Sequence, residues 1–235
     1  MTPEQLTATE DKLVKLWEAG EINSLCHFAG SLNGEYESWL CRLFEHAIKP
    51  GDWVLCSHRA HFHWLLHHEN DEFFPRGMGE VDAPLKPVHD CHEELVQRVL
   101  DGRSMFLYGP RFIQSAIVGG LCGVAAGLAL SVKQRGTGEH IWHFCGDGAV
   151  CQGAFWEAAM FVEQNKLPCT FLVESNFRQC GVPMDNSIRQ HLAGGLKCVV
   201  WHEYSPKYPH AGNDTRPNLK SQTRPDWLAR LPAAR

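Results

Sequence analysis

Between Ile141 and Pro183 the chain reads IWHFCGDGAVCQGAFWEAAMFVEQNKLPCTFLVESNFRQCGVP. One apolar run holds Ile141, Trp142 and Phe144 and stops at Gly146-Asp147-Gly148; a second, Thr170 to Val173, stops at Glu174-Ser175-Asn176. An amphipathic segment through Gln164 lies between them, and Pro168 ends it. The pattern predicts strand, helix, strand. A crossover of this length returns the second strand parallel to the first. Asp147 and Asn176 are therefore expected together at the carboxyl edge of one sheet, where open α/β sheets bind ligands.

A carboxylate and an amide oxygen are hard ligands, suited to Mg²⁺ and too few to enclose it, so water and phosphate oxygens complete its shell. A helix opening just after Gly148 would aim free backbone N–H groups at the same spot and favour an anion there. The local pattern thus asks for a diphosphate held through Mg²⁺. Gly-Asp-Gly alone is most often a plain turn; two strand-end motifs separated by one helix are far more specific.

Gly-Asp-Gly, a helix, and a strand ending in Asn resemble the thiamine diphosphate fingerprint. Over GDGAVCQGAFWEAAMFVEQNKLPCTFLVESN the chain resembles, more narrowly, the α-subunit of the first component of 2-oxo acid dehydrogenases acting on pyruvate, branched-chain oxo acids or acetoin. The resemblance implies a three-layer α/β fold of the diphosphate-binding type around a central, mostly parallel sheet. It also implies that Mg²⁺ is held by Asp147, Asn176 and the main chain of Arg178, and that Gly146, Gly148 and Ala149 border the cofactor. Family members usually read Asn-Asn where this chain has Ser175-Asn176.

A short strand, Trp53 to Cys56, feeds Ser57-His58-Arg59-Ala60-His61-Phe62-His63. On composition this is a polar, histidine-rich loop. A zinc site is a second reading, with His61, His63, His67, His68, His89, Cys91 and His92 as donors, although their spacing fits no standard pattern. The resemblance supplies a third: Arg59 and His58 contact the cofactor, Arg59 as a charged fork facing phosphate, and His61 and His63 lie near the reaction centre, where imidazole can move a proton. Leu65 to His92 reads as an irregular excursion with a short helix from Glu93 to Leu100. Phe106 stands where the family usually has a histidine. The Gly- and Ala-rich segment from Ile113 to Lys133 reads as a tightly packed helix; Ile117, Val118 and Gly119 match a family stretch beside the cofactor, which makes Val118 a cofactor contact.

With 235 residues, 44% of them apolar, the chain can build a full core. It is expected to form a single diphosphate-binding domain, with an N-terminal helix over about residues 1–21 and an irregular tail over about 213–235. A net charge of −5 gives no basic footprint for nucleic acid. No apolar run is long enough to span a bilayer and no signal-peptide pattern is seen, so no membrane partner and a cytoplasmic location are expected. The ten cysteines include Cys122, Cys145, Cys169 and Cys198 inside apolar runs, which reads as buried reduced thiols. After Asn176 the chain departs from the family: Cys198 to Trp201 serves as a closing strand early, and His210 matches the family's active-site loop histidine.

The chain has length for only one of the two domains that thiamine diphosphate enzymes need. The resemblance therefore implies a β-type subunit carrying the pyrimidine-binding domain, as in a heterotetramer, and a lipoyl-bearing acyltransferase as acceptor. The expected reaction is decarboxylation of a small 2-oxo acid, or C–C cleavage of an acyloin, followed by acyl transfer. The alternatives are a carboligase or decarboxylase without a lipoyl partner, a non-catalytic cofactor-binding subunit, and a zinc hydrolase.

Overall fold

The computed structural model describes residues 1–70, 90–179 and 182–208. Helix α1 (Pro3–Glu18) opens on a capping box in which Thr2 and Gln5 satisfy each other's backbone N–H groups, and it buries Leu6, Leu13, Val14 and Trp17 along one face. Then follow α2 (Glu35–His46), β1 (Trp53–Cys56), α3 (His61–Asn70), α4 (Cys91–Leu100), β2 (Tyr108–Gly109), β3 (Phe112–Gln114), α5 (Cys122–Arg135) and β4 (Ile141–Gly146). A 3₁₀ turn (Asp147–Cys151) precedes α6 (Gly153–Gln164), β5 (Cys169–Ser175), β6 (Arg178–Gln179), β7 (Val182–Pro183), α7 (Ser187–Ala193) and β8 (Val199–Glu203).

Six strands form one sheet in the order β2-β3-β1-β4-β5-β8, parallel throughout except for β2 against β3. Each strand alternates between two cores, as a period of two requires. Val54, Cys56, Phe144 and Leu172 join the core formed with α1 to α4. Leu55, Ile141, Cys145, Phe171 and Val173 join the core formed with α5 and α6. In that second layer Ala125, Ala126 and Ala129 of α5 lie against Phe155, Ala158, Ala159 and Val162 of α6. The result is a three-layer α/β arrangement with a mostly parallel sheet, as the family resemblance implies.

The strand order creates a switch point. From β1 the chain passes through α3 and α4 to β3 on one side, then returns through α5 to β4 on the other side of β1. The connections leaving β1 and β4 run to helices in opposite layers, so their carboxyl ends open a crevice between them.

Four expectations change. The chain after Asp147 is a 3₁₀ turn, and α6 starts only at Gly153, so no α-helix opens directly behind Gly148. His61, His63 and His67 sit on α3, where two of the three strand-end histidines become helical instead of looping. Leu65 to Asn70 is helical too; residues 71–89 of the expected excursion lie outside the described residues. The Gly- and Ala-rich segment is helical only from Cys122, and it packs through its alanines, with Gly123 and Gly127 facing outward. Among the described residues all nine cysteines are free and no helix is long and apolar enough to cross a membrane.

Candidate cofactor and metal site

The parallel register pairs Gly146 with Glu174, so the two strands end level and Asp147 falls beside Ser175. Alternation then sorts the side chains. Asp147 and Ser175 continue the α5/α6 side, where Ser175 Oγ donates to Asp147 Oδ2 at 3.2 Å. Glu174 continues the opposite side, where Tyr36 Oη donates to its Oε1 at 2.6 Å and His63 Nε2 stands 2.9 Å from the same oxygen. The two strand-end motifs predicted to meet do meet.

At the switch point a cavity of about 70 Å³ opens, room for several waters or a small anionic group when one water needs ~10–15 Å³. Its wall includes His58 and Arg59 from the end of β1, Val118 from the loop before α5, Gly146, Asp147, Gly148 and Ala149 from the end of β4, and Asn176 and Arg178 after β5. Every cofactor- or metal-binding residue expected from the sequence therefore borders one space.

Asp147 is 1% exposed, and burial raises its carboxyl above the usual range, opposed by Asn186, Ser175, the Gly148 N–H and the charge of Arg59. Arg59 is 8% exposed, and its Nε and Nη1 have no hydrogen-bond partner among the described residues. A buried guanidinium left with open donors calls for an anion. Arg178 joins it on the wall, its guanidinium pushed down by burial and by the charge of Arg59. Asn176 Oδ1 accepts the Arg178 N–H at 3.1 Å, which leaves its second lone pair for a cation. Between them Phe177 is held at φ 57°, a strained conformation for a residue with a Cβ and one that concentrates at functional sites. At Gly148 a Cβ would come 3.1 Å from Gln179 Cγ, so the close approach of these two cavity-lining residues is kept by glycine.

His61 and His63 lie behind the cavity wall. His61 is buried with Nε2 3.0 Å from Ser104 Oγ, and burial pushes its imidazole down to about 4, so it is neutral at pH 7. His63 reaches the cavity only through Glu174, which does border it. His210 lies outside the described residues. Three residues of the site were not read from the sequence. His27 packs its ring edge-on against His58 at 4.7 Å; the signal was a histidine between the apolar Cys26 and Phe28. His143 borders the cavity from inside β4, and its Nδ1 lies 3.3 Å from the Leu55 carbonyl. Asn186 bonds Asp147 from a segment no motif marked.

The proposed zinc donors do not converge. His61, His63 and His68 face Ser104, Glu174 and Glu94 respectively, and His89 lies outside the described residues. Among the described residues only Asp90, Cys91 and His92 bring ligand atoms within 4.8 Å, and there Asp90 caps α4 through the His92 N–H.

A family model described as dehydrogenase E1 component matches residues 1–191. The chain is 29% identical over 184 residues to the testis-specific α-subunit of the human pyruvate dehydrogenase E1 component, covering 76% of this chain and 42% of that one. It is 27% identical over 180 residues to the corresponding subunit of Rickettsia typhi, covering 76% of this chain and 50% of the relative. The chain thus spans about half the length of the curated relatives it matches. A solved thiamin diphosphate-dependent enzyme from Mycobacterium smegmatis aligns with a TM-score of 0.41 at 15% identity, over 79% of this chain and 34% of that one.

Proposed function

The chain belongs to the dehydrogenase E1 component family, and from that premise we propose that it is the α-type subunit of a thiamine-diphosphate- and Mg²⁺-dependent 2-oxo acid or acetoin dehydrogenase-like enzyme. The observation that carries this reading is the pairing of a buried Arg59 guanidinium, whose Nε and Nη1 have no partner among the described residues, with a buried Asp147 carboxylate on one small cavity. An anion answers the first and a cation the second; a metal-bound diphosphate answers both.

In this reading Asp147, Asn176 and the Arg178 carbonyl hold Mg²⁺, while Arg59 and His58 face the diphosphate. Bound there, thiamine diphosphate supplies the chemistry that breaks the bond beside the substrate's carbonyl group. The protein's part is to hold the charge, exclude water and orient. Ile117 and Val118, next to each other on the cavity wall, are 73% and 42% exposed, apolar surface that a second chain would cover. This supports a β-type partner completing the site; the proposal further takes a lipoyl-bearing acyltransferase as acceptor and a small 2-oxo acid or acyloin as substrate.

Co-expression with a β-type subunit, followed by assay of pyruvate, branched-chain oxo acids and acetoin, tests the proposal. Turnover should require both chains, thiamine diphosphate and Mg²⁺; robust turnover by the isolated chain would remove the need for a partner. A second reading, a cofactor-binding subunit whose own histidines take no part in turnover, draws on the burial of His61 and His63 behind the wall. It is favoured if His63→Asn leaves the complex's kcat unchanged.

A further inference from the structure

Asn186 is 3% exposed and occupies the N-cap position of α7, yet its side chain makes no capping bond to that helix. Asparagine is among the favoured caps because its oxygen can accept an early helical N–H. Here that service falls to Asp185, whose Oδ1 accepts the Ser187 N–H at 2.9 Å. Asn186 turns the other way: Nδ2 donates to Asp147 Oδ2 at 2.8 Å and lies 3.1 Å from Ser175 Oγ. Chemistry fixes the orientation of the amide, because an ionised carboxylate only accepts hydrogen bonds and so must face the NH₂ end. The opposite end, Oδ1, is buried without a partner among the described residues. Leaving a buried carbonyl oxygen unpaired is unfavourable. The side chain is therefore held in place by its donor side, against its own helix and against its own acceptor.

Both side-chain donors fall on Oδ2 of Asp147, so among the described residues no side chain competes with a cation for Oδ1. Ser175 is short and reaches Asp147 at only 3.2 Å; Asn186 bonds both and closes that corner. We infer that Asn186, assisted by Ser175, is a positioning residue that holds the Asp147 carboxylate with Oδ1 free of side-chain donors and available to the divalent cation. The inference rests on the reading that Asp147 is a metal ligand, and it extends the metal site to a segment ten residues beyond Asn176. Partners of this kind commonly set metal affinity by 10–100-fold.

The test uses the full chain. Mn²⁺ is titrated with inorganic pyrophosphate present and free Mn²⁺ read by electron paramagnetic resonance, and pyrophosphate alone is titrated by calorimetry. Asn186→Leu should weaken Mn²⁺ about 10–100-fold and leave metal-free pyrophosphate affinity, which Arg59 governs, unchanged. Asn186→Ser, smaller and still able to donate, should lose less and stands in if Asn186→Leu does not fold. Wild-type Mn²⁺ affinity in the Asn186 variants, with Asp147→Ala losing the metal, would overturn the inference and leave the metal site standing. A loss of Mn²⁺ and pyrophosphate affinity together would also overturn it, because it would mark collapse of the pocket. If Asp147→Ala itself binds Mn²⁺ like the wild type, the metal reading fails and the inference with it.

Discussion

His63 Nε2 stands 2.9 Å from Glu174 Oε1, on the face of the sheet opposite to Asp147. Successive residues of β5 thus serve different layers: Glu174 ties the cavity wall to α2 and α3, and Ser175 ties it to the end of β4. Each of the wall's two carboxylates is thus anchored by donors from elements other than its own.

Tyr36→Phe removes the 2.6 Å donor from Glu174 while keeping the ring stack with Tyr204. A hydrogen bond to a charged group contributes ~1.5–3 kcal/mol, so the urea midpoint should fall by that equivalent. An unchanged midpoint would mean that the bond does not stabilise the wall.

Glu10 gives the fold a dependence on pH. It is 2% exposed and clamps the chain by accepting the Ala29 and Gly30 N–H groups at 2.5 and 2.8 Å. Burial pushes its carboxyl from 4.5 up to about 8, with the two N–H groups opposing and Glu37 adding. The folded state therefore holds this proton more tightly than the unfolded chain. Its contribution is fully present below pH 4.5 and is lost as pH rises to about 8, with a slope of at most ~1.4 kcal/mol per pH unit. Urea unfolding from pH 5 to 9 should show Glu10→Gln losing less stability than the wild type as pH rises; parallel profiles would contradict this.

Gly30 is required by the same clamp. A Cβ there would fall 2.2 Å from Glu10 Oε2, so Gly30→Ala must displace the carboxylate from its backbone donors. Overpacking of this kind costs about 1–3 kcal/mol. Measured by chemical denaturation, the loss should be non-additive with Glu10→Gln, since both act on one contact.

Arg59→Met should separate binding from stability. Removing a buried charge with open donors relieves one burial penalty and takes from Asp147 a charge that opposes its own, so the unfolding temperature of the unliganded chain should change little. The stabilisation conferred by added pyrophosphate should disappear. A fall in apo stability with binding retained would show that Arg59 is structural.

The unit of β4, α6 and β5 was legible because β4 and β5 carry apolar runs that stop at polar clusters, and the alternation within those runs fixes which residues share a face; the switch point beside β1 was not, since it depends on the strand order of the whole sheet. Asp147 and Asn176 were legible for the same reason, since each follows directly on a strand; Arg59, three residues past β1, was reached through the family resemblance. His61 and His63 were harder. The stretch that sets Arg59 on the cavity wall begins α3 two residues later, and helical spacing turns both imidazoles into the core. Asn186 carries no sequence signal at all, because its bond to Asp147 depends on how β6 and β7 fold back. The 3₁₀ turn at Asp147–Cys151 hides behind a composition that suits an α-helix equally well.

The account depends most on Asp147 tethering a diphosphate through a cation, and calorimetry of thiamine diphosphate binding to the full chain, with and without Mg²⁺, measures this directly. The prediction is binding that requires Mg²⁺ in the wild type and is largely lost in Asp147→Ala. Binding of equal strength in both proteins, or binding indifferent to Mg²⁺, would contradict it.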